Sequence, residues 1–163
     1  MSPNLYKPHV YVIPEDDADR DIVNGFMLNL EINERQFYVD TVARGWERGR
    51  DKLLELCSGH LVKYTSAHAI LIIDFDEQAQ RASEIRDSVP DGLRDRVFII
   101  GVFSEPEQLR RSTKKSYEQI GRMMAKGCKE NNTDFWQKET LLAHNLEEIR
   151  RLSEAVHDLF FEC

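Results

Sequence analysis

The chain has 163 residues, of which 41% are hydrophobic and 31% charged, and a formal net charge of −7. That length admits a hydrophobic core without staples, since a domain of ~150 residues buries roughly 70% of its unfolded surface, and the composition excludes a disordered or fibrous chain. The acidic balance speaks against nucleic-acid binding by bulk charge, and no apolar run approaches the ~20 residues that cross a bilayer.

Three dispersed cysteines, Cys57, Cys128 and Cys163, contain no CxxC pair and read as reduced thiols rather than a disulfide frame or zinc site. The N-terminus shows no basic stretch followed by an apolar one. The expected location is therefore the cytoplasm, with no signal peptide and no membrane association.

In chain order, residues 9–14 form the first expected strand, a short β-branched run ending in Glu15-Asp16-Asp17. Asp16, Asp17 and Asp19 then open a helix running to about Leu30, with acids in the first turn where the helix dipole favours them. Ile22, Val23, Phe26 and Leu30 give its apolar face. Residues 36–42 are the second expected strand, and 46–63 a helix. Residues 69–73 are the third strand, ending in Asp74-Phe75-Asp76. A helix from Glu77 to about Ser88 follows and stops at the turn signal Pro90-Asp91-Gly92. Residues 97–103 are the fourth strand, again followed by acids, Glu105 and Glu107. This rhythm predicts parallel strands joined by right-handed crossovers, with helices covering the sheet.

Beyond Ser104 the pattern turns helical. Ser116 and Gln119 fit a capping box, ahead of Tyr117, Ile120, Met123, Met124 and Cys128 on one face. Leu142, Leu146, Ile149, Leu152, Val156, Leu159 and Phe160 recur at spacings of three and four. A break is expected at Asn145, which with Glu148 forms a second capping-box pattern. The fold class expected is α/β: a three-layer arrangement with a mainly parallel four-stranded sheet (Rossmann-like), and a C-terminal helical extension. The α/β core is placed at residues 8–104 and the extension at 105–163, packed on the core as one globular unit.

Buried parallel strands read as continuous apolar runs, and ligands in open α/β sheets bind beyond their carboxyl ends. Glu15, Asp74 and Asp76 stand at two such ends, and three oxygen ligands of that kind suit Mg²⁺ or Mn²⁺. Asp19, four residues after Glu15, and Glu107, at the fourth strand's edge, are accessory candidates; each also reads simply as a solvated helix start or turn. Arg110, Arg111, Lys114 and Lys115 form the densest basic cluster and are candidates for holding a phosphate backbone, or a solvated helix face. No Walker A motif, dinucleotide fingerprint or nucleophile elbow occurs. His9, His60, His68, His144 and His157 show no ligand spacing.

These residues resemble the pattern of TOPRIM domains, the α/β units of type IA and II topoisomerases, bacterial primases and OLD-family nucleases. In that family the first strand ends in Glu, usually as Glu-Gly-x-x-Asp, and the third in Asp-x-Asp. Glu15-Asp16-Asp17-Ala18-Asp19 matches the first motif with Asp16 where Gly is usual, and Asp74-Phe75-Asp76 matches the second. The resemblance covers residues 8–104. It implies Mg²⁺- or Mn²⁺-dependent phosphoryl transfer, with Glu15 as the acid/base and Asp74, Asp76 and Glu15 as metal ligands. The activity implied is that of a nuclease or nuclease subunit. Its partners would be nucleic acid, bound weakly and salt-sensitively, and a protein partner or second copy docked on the C-terminal helices. Two alternatives stay open: a non-enzymatic TOPRIM-like scaffold, and a receiver-like signalling module with Asp16, Asp17 and Asp74 as its acids and Ser104 as its hydroxyl.

Overall fold

The computed structural model describes residues 7–28, 36–130 and 132–160, with the backbone alone for 157–160. The expectations for the N-terminal residues 1–6, for Leu30, and for the side chains of Leu159 and Phe160 lie outside the described residues.

Four strands, β1 (His9–Pro14), β2 (Phe37–Val39), β3 (Ala67–Ile72) and β4 (Val97–Ile100), form one sheet in the order β2-β1-β3-β4. All three pairings are parallel. Every neighbour pair therefore needs a crossover, and the helices that provide it cover both faces. On one side lie α2 (Trp46–Leu56), extended by a π-helical turn at Cys57–Leu61, and α3 (Arg81–Ser88). On the other lie α1 (Asp17–Met27), α4 (Pro106–Thr113), α5 (Tyr117–Lys129), α6 (Asp134–Lys138) and α7 (Leu146–Phe160).

Alternation along the strands divides the core. Val10, Val12, Ile70, Phe98 and Ile100 meet Ile22, Ile120, Leu142 and Leu152 on the α1 side. Ile13, Ala69, Leu71 and Ile99 meet Leu53, Leu61, Ile85 and Leu93 on the α2 side. The result is three layers, as the sequence pattern predicts. The helices after residue 105 supply much of one layer: Ile149, Leu152 and Val156 of α7 bury against the sheet. Among the described residues, no helix is long and apolar enough to cross a membrane.

Helix α1 and helix α5 meet backbone to backbone. A Cβ on Gly25 would fall 2.1 Å from the Glu118 carbonyl oxygen, and one on Gly121 would fall 2.0 Å from that of Ile22. The capping box at Ser116 and Gln119 forms as expected, with both reciprocal bonds present.

Element ends depart from the sequence reading for local reasons. Residues 36–42 pair only over Phe37–Val39. The fourth strand ends at Ile100, because Gly101 takes φ 157° where a Cβ would fall 1.8 Å from the Ile73 carbonyl oxygen. The third helix starts at Arg81 instead of Glu77, because Asp76 (φ 48°) and Glu77 (φ 62°) are both left-handed and no right-handed helix passes through such a pair.

The break at Asn145 is real, but its capping box does not form. Asn145 instead turns to the open edge of β4, accepting from Gly101 N–H at 3.1 Å and donating to Gly101 O at 2.8 Å. Glu148 accepts from Ile99 N–H at 3.2 Å, and Arg151 donates to Val97 O at 2.5 Å. Three side chains of one helical stretch thus satisfy the edge that a fifth strand would otherwise occupy. Asn145→Ala removes the acceptor of the buried Gly101 N–H and one of the donors to Gly101 O, the His144 ring being another. It is expected to lower stability by about 2 kcal/mol, read as a lower urea midpoint with unchanged slope.

Candidate functional site

The site sits where β1 and β3 end side by side. Pro14 pairs with Ile72 across the two strands, and Glu15 N–H continues the ladder to Ile72 O at 2.9 Å. Glu15 and Asp74 are therefore brought together by register alone. The Glu15 Oε2 atom accepts from Asp74 N–H at 2.5 Å.

Asp16 caps α1, its Oδ1 accepting from Asp19 N–H at 2.9 Å. That cap turns Asp19, in the first turn, back into the crevice. One carboxylate oxygen from each of Glu15, Asp19 and Asp74 lies within 4.8 Å of the others. Glu15 is 9% exposed and Asp19 0%. Among the described residues, both oxygens of Asp19 and the Oδ1 atom of Asp74 are buried and meet no N–H or hydroxyl donor, only neighbouring carboxyl groups.

The electrostatics follow from burial and crowding. Burial, then the charges of Asp74, Asp16 and Glu15, push the Asp19 carboxyl well above the usual range. Burial, then Asp16 and Glu15, raise Asp74 to about 8. Burial also raises Glu15, helped by Asp16 and Asp76, while the bond from Asp74 N–H and the Arg81 charge work the other way. Like charges confined in a low-dielectric crevice hold protons for this reason.

The cluster is not quite the one expected. Asp19, ranked as accessory, is its most buried member. Asp76, expected as a ligand, is not one of the three: its side chain is 58% exposed and pairs with Arg81 at 2.8 Å. Its left-handed backbone turns it away from the direction that strict alternation with Asp74 implies. Glu107 also lies outside the trio, on an exposed depression of about 550 Å³ with Arg110, Arg111, Lys114, Lys115, Ser116 and Tyr117. That depression lies between α4 and the start of α5, the two helices that pack beside α1. Ser104 is buried, its hydroxyl donating to Gln108 at 2.8 Å.

Asp16, which the sequence offers as a helix-opening acid and as the replacement for a glycine, caps the Asp19 N–H. One participant went unseen in the sequence. Arg81 donates to Asp74 O at 2.7 Å as well as to Asp76, and only the positive charge of an arginine seven residues on hints at it.

Carboxylate oxygens of this kind fit a hard divalent cation. A buried carboxylate without a donor is costly on its own, and the oxygens of Asp19 face the same crevice as Glu15 and Asp74. Oxygens within 4.8 Å of one another would have to close further around an ion with Mg²⁺–O bonds of ~2.1 Å.

Comparison of the chain with models of protein families, with curated proteins and with solved structures gives no match.

The raised carboxyls also set a pH dependence. They hold protons more tightly folded than unfolded, so their contribution to stability is full below the ordinary carboxylate range and is lost as pH rises through about 8, the value for Asp74. In chelator, the melting temperature is expected to fall from about pH 5 to about pH 8. Asp74→Asn, which cannot ionise, flattens that slope and melts higher than the parent at the alkaline end. Thermal melts across the pH range check both.

Proposed function

We propose that this chain is a TOPRIM-like, Mg²⁺- or Mn²⁺-dependent phosphoryl-transfer protein, most simply a cytoplasmic nuclease or nuclease subunit acting on nucleic acid. The observation that carries the reading is the convergence of Glu15, Asp19 and Asp74 at the shared carboxyl edge of β1 and β3, with a fully buried Asp19 that among the described residues meets no N–H or hydroxyl donor. The adjacency of β1 and β3 supports the family resemblance, and Cys57 and Cys128, buried free thiols, suit a reducing compartment.

A bound divalent ion supplies Lewis-acid stabilisation of charge on a transferring phosphoryl group. Asp19, Asp74 and Glu15 are the residues that would hold it. Glu15 has a second task. Its Oε2 is fixed by Asp74 N–H, and burial raises its affinity for a proton, so its other oxygen is suited to take a proton from an attacking water. The depression at Arg110, Arg111, Lys114 and Lys115 lies on the α1 side of the crevice, where cations balance phosphate charge on a chain of net charge −7.

The ion-paired Asp76 favours a second reading, a non-catalytic scaffold, because that acid is committed to Arg81.

Mn²⁺ is expected to bind by calorimetry and to raise the melting temperature. Asp19→Asn and Asp74→Asn should each abolish binding, while Asp76→Asn retains it. On a panel of single- and double-stranded DNA and RNA with Mn²⁺ at low salt, Glu15→Gln should slow phosphodiester cleavage by about 10²–10⁴-fold with the fold intact. Absence of both metal binding and cleavage would leave the scaffold reading ahead.

A further inference from the structure

The side of the crevice away from the α4–α5 turn carries an arrangement that the carboxylates do not use. After β2 the chain returns to the sheet edge, where Ala43 N–H donates to Pro14 O at 2.9 Å and Arg44 N–H to Glu15 O at 2.7 Å. Arg44 (φ 64°) and Gly45 (φ 140°) then turn the backbone sharply, and Trp46 is the first residue of α2. Trp46 is partly buried and stands two residues from an amide bonded to Glu15. The guanidinium of Arg81 lies 4.6 Å from its ring centroid and that of Arg50 lies 5.5 Å away.

Arg81 ties this corner to the site. Its Nη1 is held by Asp74 O and Asp76 Oδ2, whereas its Nε and Nη2 make no hydrogen bond among the described residues. Arg81, its side chain 11% exposed, is thus locked on the indole and bonded to the backbone of a carboxylate that lines the crevice, so it fixes the ring beside the site. Arg44 and Arg48, on the same turn, are exposed. The sequence signature is Arg44-Gly45-Trp46-Glu47-Arg48-Gly49-Arg50, basic residues interleaved with one aromatic.

Aromatic rings and guanidinium planes hold unpaired bases by stacking, which a duplex denies because its base faces are already stacked. Stacking also gives affinity that does not depend on net charge, as a chain of −7 with acids at its centre requires. We propose that Trp46, Arg81 and Arg50 form a nucleobase-stacking subsite beside the carboxylate crevice, so that the chain takes unpaired nucleotides of single-stranded nucleic acid in preference to duplex. This rests on the reading of the crevice as a phosphoryl-transfer site only for what happens to the strand, and not for its binding.

The test is binding in chelator, without metal. Trp136 is 3% exposed in the core, so Trp136→Phe leaves Trp46 as the reporter. Short oligodeoxyadenylate and oligoadenylate strands should quench Trp46 fluorescence, and a hairpin duplex of matched length should not. By anisotropy of labelled strands with the parent chain, Trp46→Leu and Arg50→Ala should each weaken binding by about tenfold, and Trp46→Phe by much less. Equal response to DNA and RNA assigns recognition to the base, and a preference for RNA adds the 2′-hydroxyl; both support the subsite. Equal binding of duplex and single strand, absence of quenching, or an unchanged affinity in Trp46→Leu would overturn it. Metal-dependent cleavage without quenching removes the stacking subsite alone. Quenching without cleavage upholds the subsite and removes the phosphoryl-transfer reading.

Discussion

Two strands that are neighbours in a parallel sheet must finish at the same edge, and β1 and β3 are such neighbours along their whole length, from His9 opposite Ala67 to Pro14 opposite Ile72. Whatever follows Pro14 therefore meets whatever follows Ile72. Here acids follow both, and the ladder continues until Asp74 N–H closes on the Glu15 carboxylate. The crevice, its charge and the placement of α1 all depend on that register. A shift of one residue would turn Val12 and Ile70 from one core to the other and separate the carboxylates.

The register concentrates negative charge where water is scarce. Asp19 is fully buried with no N–H or hydroxyl donor among the described residues, and Asp74 and Glu15 stand beside it. The N-terminus of α1 offers partial positive charge to Asp16 and Asp19, and Arg81 is the cation whose charge reaches Glu15. Among the described residues, neither donates a hydrogen bond to the oxygens of Asp19. Carboxylates crowded in this way cost stability where they are ionised, since like charges share a low-dielectric crevice. The close backbone contact of Gly25 and Gly121 with the facing helices keeps α1 from retreating to relieve the repulsion.

The opposite requirement governs the β4 edge. A parallel sheet exposes unpaired backbone groups at its last strand, and Asn145, just before α7, answers them together with Glu148 and Arg151 of α7. Glu148 also pairs with Arg86 of α3 and Arg151, so one helix links both layers to the edge. This bears on the site through Gly101, which lies against Ile73 just before Asp74. Holding Gly101 holds the chain that carries Asp74, with Ile73 N–H on Ile100 O at 3.0 Å and Phe75 N–H on Val102 O at 3.0 Å.

Much of this was legible in the sequence, because alternation of β-branched runs with helical periodicity is itself a statement about which atoms avoid water. The four strands, the parallel class, the capping box at Ser116 and the pairing of Glu15 with Asp74 all follow from it. Asp19 joins the cluster and Asp76 lies outside it because side-chain direction beyond a strand end depends on backbone dihedrals that apolar pattern does not encode. The left-handed pair at Asp76 and Glu77 and the cap from Asp16 decided them. Asn145 and Glu148 match a capping pattern locally, yet the nearby edge of β4 offered them buried backbone partners instead. Local chemistry in the sequence thus determined the elements and the residue types at their ends. Only the tertiary structure decided which of those ends share a crevice, since burial and hydrogen-bond competition are set by neighbours distant in the chain.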